Sequence, residues 1–122
     1  MTKRVLIADD ESNIVISLEY LLRREGFEVI VAVDGEEALA KARAERPDIV
    51  LLDVMMPKMN GFDVCQALRA DPELAAMRIL MLTAKGRDTV VSKGLGLGAD
   101  AYVTKPFSTK DLVAQVRFLL GI

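Results

Sequence analysis

The chain has 122 residues, of which 52% are hydrophobic and 28% charged, a composition that suits one folded soluble domain and excludes a disordered chain. Its net charge of −2 supplies no basic field for nucleic acid or an anionic membrane. There is no histidine, which excludes Ser-His and Cys-His catalysis and His-based zinc sites, and the single Cys65 excludes an internal disulfide framework. The opening MTKRVLIADD is too short for the apolar region of a signal peptide, and no run approaches a membrane span, so a cytoplasmic protein is expected.

Val5–Ala8 is a short apolar run ending in Asp9, Asp10 and Glu11, which reads as a strand with acids at its carboxyl end. Ser12 or Asp10 is placed to cap the following helix, whose Ile14, Leu18, Leu21 and Leu22 fall on one face; Gly26 closes it. Val29–Val33 is a second strand, closed by Asp34-Gly35. Glu36–Arg46 is an Ala-rich helix with acids first and basic residues last, and Pro47 stops it.

The stretch Ile49–Pro57, IVLLDVMMP, organises the rest. Four aliphatics without alternation describe a strand buried on both faces, as in a parallel sheet covered by helices, and Asp53 sits where that strand leaves the core. Phe62, Cys65 and Leu68 mark a third helix over Phe62–Arg69, with Cys65 on its packing face. Ile79–Leu82 is a fourth strand ending at Thr83, and a weaker fourth helix follows, interrupted by Gly94, Gly96 and Gly98. Those glycines lower helix stability, which suits a segment that rearranges. Ala101–Thr104 is a fifth strand that ends at Lys105-Pro106, and Ser108 with Asp111 caps a fifth helix carrying Leu112, Val116, Leu119 and Leu120. Five strands alternating with five helices predict a single α/β domain over 1–122, built on a parallel sheet with right-handed crossovers.

The strand ends form a constellation. Asp9, Asp10 and Asp53, the Thr83 hydroxyl and the Lys105 ammonium converge on the one sheet edge where open α/β folds do their chemistry. Each close carboxylate pair costs on the order of 3–4 kcal/mol at an effective dielectric near 20, so a hard divalent cation such as Mg²⁺ is the natural counter-charge. An acyl phosphate on Asp53 would replace one negative charge with roughly −2 and add acceptor oxygens. That excess would draw Thr83 and Lys105 and vacate space that an aromatic side chain could fill.

These residues carry a resemblance. With ADDE (Asp9, Asp10), LLDVMMP (Asp53), MNG (Gly61), Thr83-Ala84 and YVTKPF (Tyr102, Lys105, Pro106), the chain closely resembles the receiver domain of bacterial two-component response regulators over essentially its whole length. The resemblance implies a flavodoxin-like sheet in the order 2-1-3-4-5 and a cis Lys105-Pro106 bond. It implies Asp53 as acceptor of a phosphoryl group from a sensor histidine kinase or histidine phosphotransfer protein. Mg²⁺, with Mn²⁺ as a substitute, would be held by Asp9, Asp10, Asp53 and the Met55 backbone carbonyl. Lys105 and Thr83 would bind phosphoryl oxygens, and Tyr102 would be the rotating aromatic. The departures at Lys58, Asn60 and Lys85, with Met55, bear on the lifetime of the phosphorylated form.

Other readings stand beside this one. Asp9 and Asp10 would cap a helix in a plain structural role, Thr83 would be a turn residue, and Tyr102 a half-buried packing residue. An aspartyl-phosphate phosphatase of the haloacid dehalogenase type needs a general acid/base two residues after its nucleophile, where Met55 stands. A degenerate receiver would act as an unphosphorylated interaction module, although no site residue is lost. Nucleotide binding lacks its motifs, since Gly94–Gly98 is not G-x-G-x-x-G and no P-loop is present. On the output side the resemblance implies docking on the fourth helix, fifth strand and fifth helix, about 88–97 and 101–120, without direct nucleic-acid or membrane contact. The partner there would be a target protein or effector domain; the apolar Phe118–Ile122 tail leans toward a continuation of the chain or a phosphorylation-dependent homodimer.

Overall fold

A computed structural model gives the fold and describes residues 2–84, 93 and 95–122. Strands β1 (Arg4–Ala8), β2 (Glu28–Ala32), β3 (Ile49–Asp53), β4 (Arg78–Ala84) and β5 (Ala101–Lys105) form one parallel sheet in the order β2-β1-β3-β4-β5. Helices α1 (Ser12–Arg24), α2 (Gly35–Glu45), α3 (Gly61–Ala70) and α4 (Thr109–Leu120) complete the described elements. Among the described residues there are thus four complete helices where five were expected over the whole chain. Most of the remaining one, with Lys85 just before it, lies outside the described residues, although Lys93, Leu95 and Gly96 are helical.

The uninterrupted apolar runs become strands because both faces of the sheet are covered. Alternate side chains point to opposite faces. Leu6, Ala8, Val50, Leu52, Ile79 and Met81 pack beneath Ala38 and Ala42 of α2 and Val64, Cys65 and Leu68 of α3. Val5, Ile7, Ile49, Leu51, Leu80 and Leu82 meet Leu18 and Leu22 of α1 and Leu112 and Val116 of α4. Each fully buried leucine or isoleucine contributes about 1.5–3 kcal/mol. Cys65 is buried in the first of these layers, 3.7 Å from the Leu97 carbonyl, and is a packing residue.

Strand ladders continue one residue beyond two of the expected ends. Asp53 pairs in register with Leu82, and Lys105 with Ala84. Asp53 and Lys105 are thus backbone members of the sheet rather than loop residues.

Three helix starts carry side-chain caps: Asp34 accepts from Glu37 N (2.8 Å), Asn60 from Asp63 N (2.9 Å) and Ser108 from Asp111 N (3.3 Å). The expected cap on α1 is corrected. Neither Ser12 nor Asp10 caps it; Glu11 occupies the N-cap without a side-chain cap bond, and Asp9 Oδ1 instead accepts from Glu11 N at 2.9 Å. Asp9 is fully buried, so its carboxylate turns back onto the chain where a surface cap would reach forward. Gly26 follows α1 with φ +92°, as expected of a helix-terminating glycine.

The amino ends of β4 and β5 are tied together at the edge opposite the acids. Arg69 Nε donates to Gly98 O (2.8 Å), and its guanidinium also bonds Ala75 O (3.1 Å) and Asp100 Oδ2 (2.8 Å). The same Asp100 oxygen accepts from Ile79 N at 2.7 Å. No helix among the described residues is long and apolar enough to cross a membrane.

Candidate functional site

The carboxyl ends of the strands deliver the site. β1 leads directly into Asp9 and Asp10, β3 ends on Asp53, β4 carries Thr83 and β5 ends on Lys105. Asp9, Asp53 and Thr83 are the buried polar residues among those described, with exposures of 0%, 5% and 4%. Asp10, by contrast, is exposed and leaves one side of the cluster open to solvent.

One oxygen from each of Asp9, Asp10 and Asp53 lies within 4.8 Å of the others. Lys105 Nζ donates to Asp9 Oδ2 (2.8 Å) and Glu11 Oε1 (3.0 Å) and stands 3.5 Å from Asp53 Oδ1. Met55 N donates to Asp53 Oδ1 at 3.4 Å. Burial pushes the Asp53 carboxyl up to about 6, and the charge of Asp9 pushes the same way. Lys105 and the Met55 N–H oppose that shift, and Asp10 adds to it. For Lys105, burial works against the ammonium, but the hydrogen bonds to Asp9 and Glu11 and the charges of Asp53 and Asp9 outweigh it and raise its pKa.

An all-oxygen donor set with excess negative charge fits a hard cation. Mg²⁺ takes oxygen ligands in an octahedron at about 2.0–2.1 Å and retains waters, which the exposed side at Asp10 admits.

Backbone close approach shapes this edge. Gly61 N donates to Val54 O at 2.9 Å, and the absence of a side chain at Gly61 lets the first turn of α3 rest on the Asp53-Val54 peptide. Lys58 adopts φ +69° in the loop between, with Nζ 3.6 Å from Asp34 Oδ2, and Asn60 caps α3. The Lys105-Pro106 bond is cis, as the resemblance implied.

Asp9, Asp10, Asp53 and Lys105 are therefore gathered as expected, with Thr83 on the adjacent strand at the same edge. The Met55 side chain is 69% exposed. Tyr102 lies half-buried along β5, 44% exposed in an open groove with Leu95, Val103, Gln115 and Phe118, a position open to both the packing and the switching role. Sequence reasoning missed Glu11. It follows the acidic pair directly, but no local signal announces that it shares the ammonium of Lys105.

Residues 5–117 match the family model for the response regulator receiver domain. The chain belongs to that family. The receiver is 50% identical over 120 residues to the alkaline phosphatase synthesis transcriptional regulatory protein PhoP of Bacillus subtilis, covering 98% of this chain and 49% of PhoP. It is 50% identical over 117 residues to the DNA-binding response regulator MtrA of Mycobacterium tuberculosis, covering 96% of this chain and 50% of MtrA. The receiver thus spans about half the length of these relatives. Its fold superposes on the chemotaxis response regulator CheY4 of Vibrio cholerae with a TM-score of 0.92 and 34% identity, covering 98% of this chain and 99% of CheY4. A receiver domain is the phosphorylation-dependent switch of two-component signalling, and this chain is a signalling protein of that kind.

Proposed function

We propose that residues 1–122 form one cytoplasmic receiver domain that accepts a phosphoryl group on Asp53 from a sensor histidine kinase or a histidine phosphotransfer protein. The observation that carries this reading is the setting of Asp53. It is a buried carboxylate at the end of the wholly buried β3, facing two further carboxylates and one ammonium. A purely structural edge gains nothing from gathering like charges, whereas a phosphoryl acceptor needs a cation and an ammonium around its nucleophile.

In the proposed step an Asp53 carboxylate oxygen attacks phosphorus, the P–N bond to the donor imidazole breaks, and the imidazole nitrogen leaves with the electron pair and takes up a proton. Asp9, Asp10, Asp53 and the Met55 backbone carbonyl would hold Mg²⁺, or Mn²⁺ as a substitute. When bound, the cation neutralises charge on the carboxylates and on the phosphoryl oxygens. Lys105 donates to one phosphoryl oxygen and the Thr83 hydroxyl to another. The movement of Thr83 opens space for the Tyr102 ring to turn inward. That motion alters the face of β5 and α4, with residues 88–97 that for the most part lie outside the described residues, where a target protein, an effector domain or a second phosphorylated copy docks.

The domain assists its own phosphoryl transfer and dephosphorylation and acts on no other substrate in this reading. Contact with DNA, which the name of MtrA describes, is not assigned to this domain, and no membrane contact is invoked. The phosphatase alternative is disfavoured because the Met55 thioether, exposed beside Asp53, cannot relay a proton.

Intact mass after incubation with acetyl phosphate and Mg²⁺ tests the proposal. One phosphoryl adduct that requires Mg²⁺ and is lost in Asp53→Ala supports it. An adduct that survives in Asp53→Ala overturns the assignment, and no adduct or beryllofluoride complex at all leaves the domain as an unphosphorylated interaction module.

A further inference from the structure

The geometry points to Glu11 as a positioning residue that tethers Lys105 away from Asp53 in the resting domain and competes with the phosphoryl group for its ammonium. This inference rests on the reading of Asp53 as the phosphoryl acceptor.

A lysine ammonium has three N–H donors. Two of them are committed to Asp9 (2.8 Å) and Glu11 (3.0 Å), while Asp53 is the most distant of the three carboxylates at 3.5 Å. The third N–H is left for the Asp53 side, but those two shorter bonds hold the ammonium away from it, so moving Lys105 toward a phosphoryl oxygen on Asp53 must stretch one of them. Asp9 is fully buried, so its lost hydrogen bond could not be replaced by water, and it belongs to the candidate cation site. The Glu11 side chain is 59% exposed, and water readily takes the place of the ammonium. The bond to Glu11 is therefore the one that opens.

The tether is also pre-aimed. Glu11 sits at the N-cap of α1, and its backbone N–H is held by Asp9 Oδ1, on the same carboxylate whose Oδ2 binds Lys105. One buried aspartate thus fixes both ends of the Glu11–Lys105 contact. Asp9 and Glu11 together keep the ammonium on the β1 side of the site.

Beryllofluoride, which forms a phosphoryl-like adduct with an aspartate, is the probe. Its affinity is measured by calorimetric titration at saturating Mg²⁺ for wild type, Glu11→Gln, Glu11→Asp and Asp53→Asn, with thermal unfolding to show that each is folded. Both Glu11 variants are expected to bind beryllofluoride about two- to fivefold more tightly, the scale of losing one exposed ion pair. The Asp variant keeps the charge but withdraws it from Nζ, because an N-cap aspartate turns toward the open N–H groups of its own helix.

A gain with Gln alone would mean that net charge, not contact with Lys105, matters, and would overturn the inference. Unchanged or weaker binding in both variants overturns it as well, and a fall in Mg²⁺ affinity for Glu11→Asp would assign the carboxylate to the cation instead. Wild type that fails to bind, or binding that persists in Asp53→Asn, refutes the reading of Asp53 and this inference with it.

Discussion

The backbone of Asp53 lies directly against Gly61, the first residue of α3. A Cβ at position 61 would overlap the Asp53 carbonyl oxygen and stand 2.9 Å from Val54 Cα. The helix start braces the strand end that carries Asp53, with the Gly61 N–H on Val54 O as the fastening. Backbone atoms cannot yield as a flexible side chain would, so Gly61→Ala is expected to destabilise the domain by about 1–3 kcal/mol, the range for overpacking a close-fitted site. Urea unfolding measures this, and beryllofluoride affinity should fall with it because Asp53 shifts. A variant as stable as wild type would show that the brace is not rigid.

The raised pKa of Asp53 makes the stability of the metal-free domain depend on pH. Its carboxyl titrates near 6 when folded, against 3.8 in the unfolded chain. The folded state therefore keeps a proton that the unfolded state has lost. The resulting contribution is fully present below the unfolded value and disappears as pH rises through the folded one. Metal-free wild type should weaken between about pH 4 and 6. Asp53→Asn lacks this loss, and at neutral pH it should be the more stable by about 1–3 kcal/mol, the gain vanishing toward acid pH. Denaturant midpoints across this range in the presence of a chelator check the sign. A constant difference between the two proteins would count against it.

Mutual repulsion of Asp9, Asp10 and Asp53 predicts coupled effects of metal and mutation. Mg²⁺ should raise the unfolding midpoint, by about 2.7 kcal/mol of stabilisation at a hundredfold excess over its Kd. Asp10→Ala should stabilise the metal-free domain, since it removes one of the like charges, and should weaken Mg²⁺ binding. Thermal scans with and without Mg²⁺ separate the two. A midpoint indifferent to saturating Mg²⁺ would count against the cation site.

The unbroken apolar runs of β1 and β3 made the sheet legible, because only strands covered on both faces dispense with alternation. Once the sheet is parallel, every carboxyl end lies on one edge. Asp9, Asp10, Asp53, Thr83 and Lys105 then had to meet whatever the details of their side chains. The helix stops at Gly26 and Pro47 and the cap at Ser108 were local signals of the same kind. Most of the fold and the main site residues were therefore written in local pattern and strand order.

Only the tertiary structure decided which polar groups pair across the fold. It placed Glu11 rather than Ser12 or Asp10 at the α1 cap and put Glu11 beside Lys105. It joined Arg69 to Asp100, 31 residues away in sequence, to hold the amino ends of β4 and β5, and it left Tyr102 along an open groove. Periodicity reports which face of an element is apolar, because burial is a property of the whole face. Hydrogen bonds between long polar side chains depend on rotamers and on distances of a few tenths of an ångström between distant segments, and these are set only when the chain has packed.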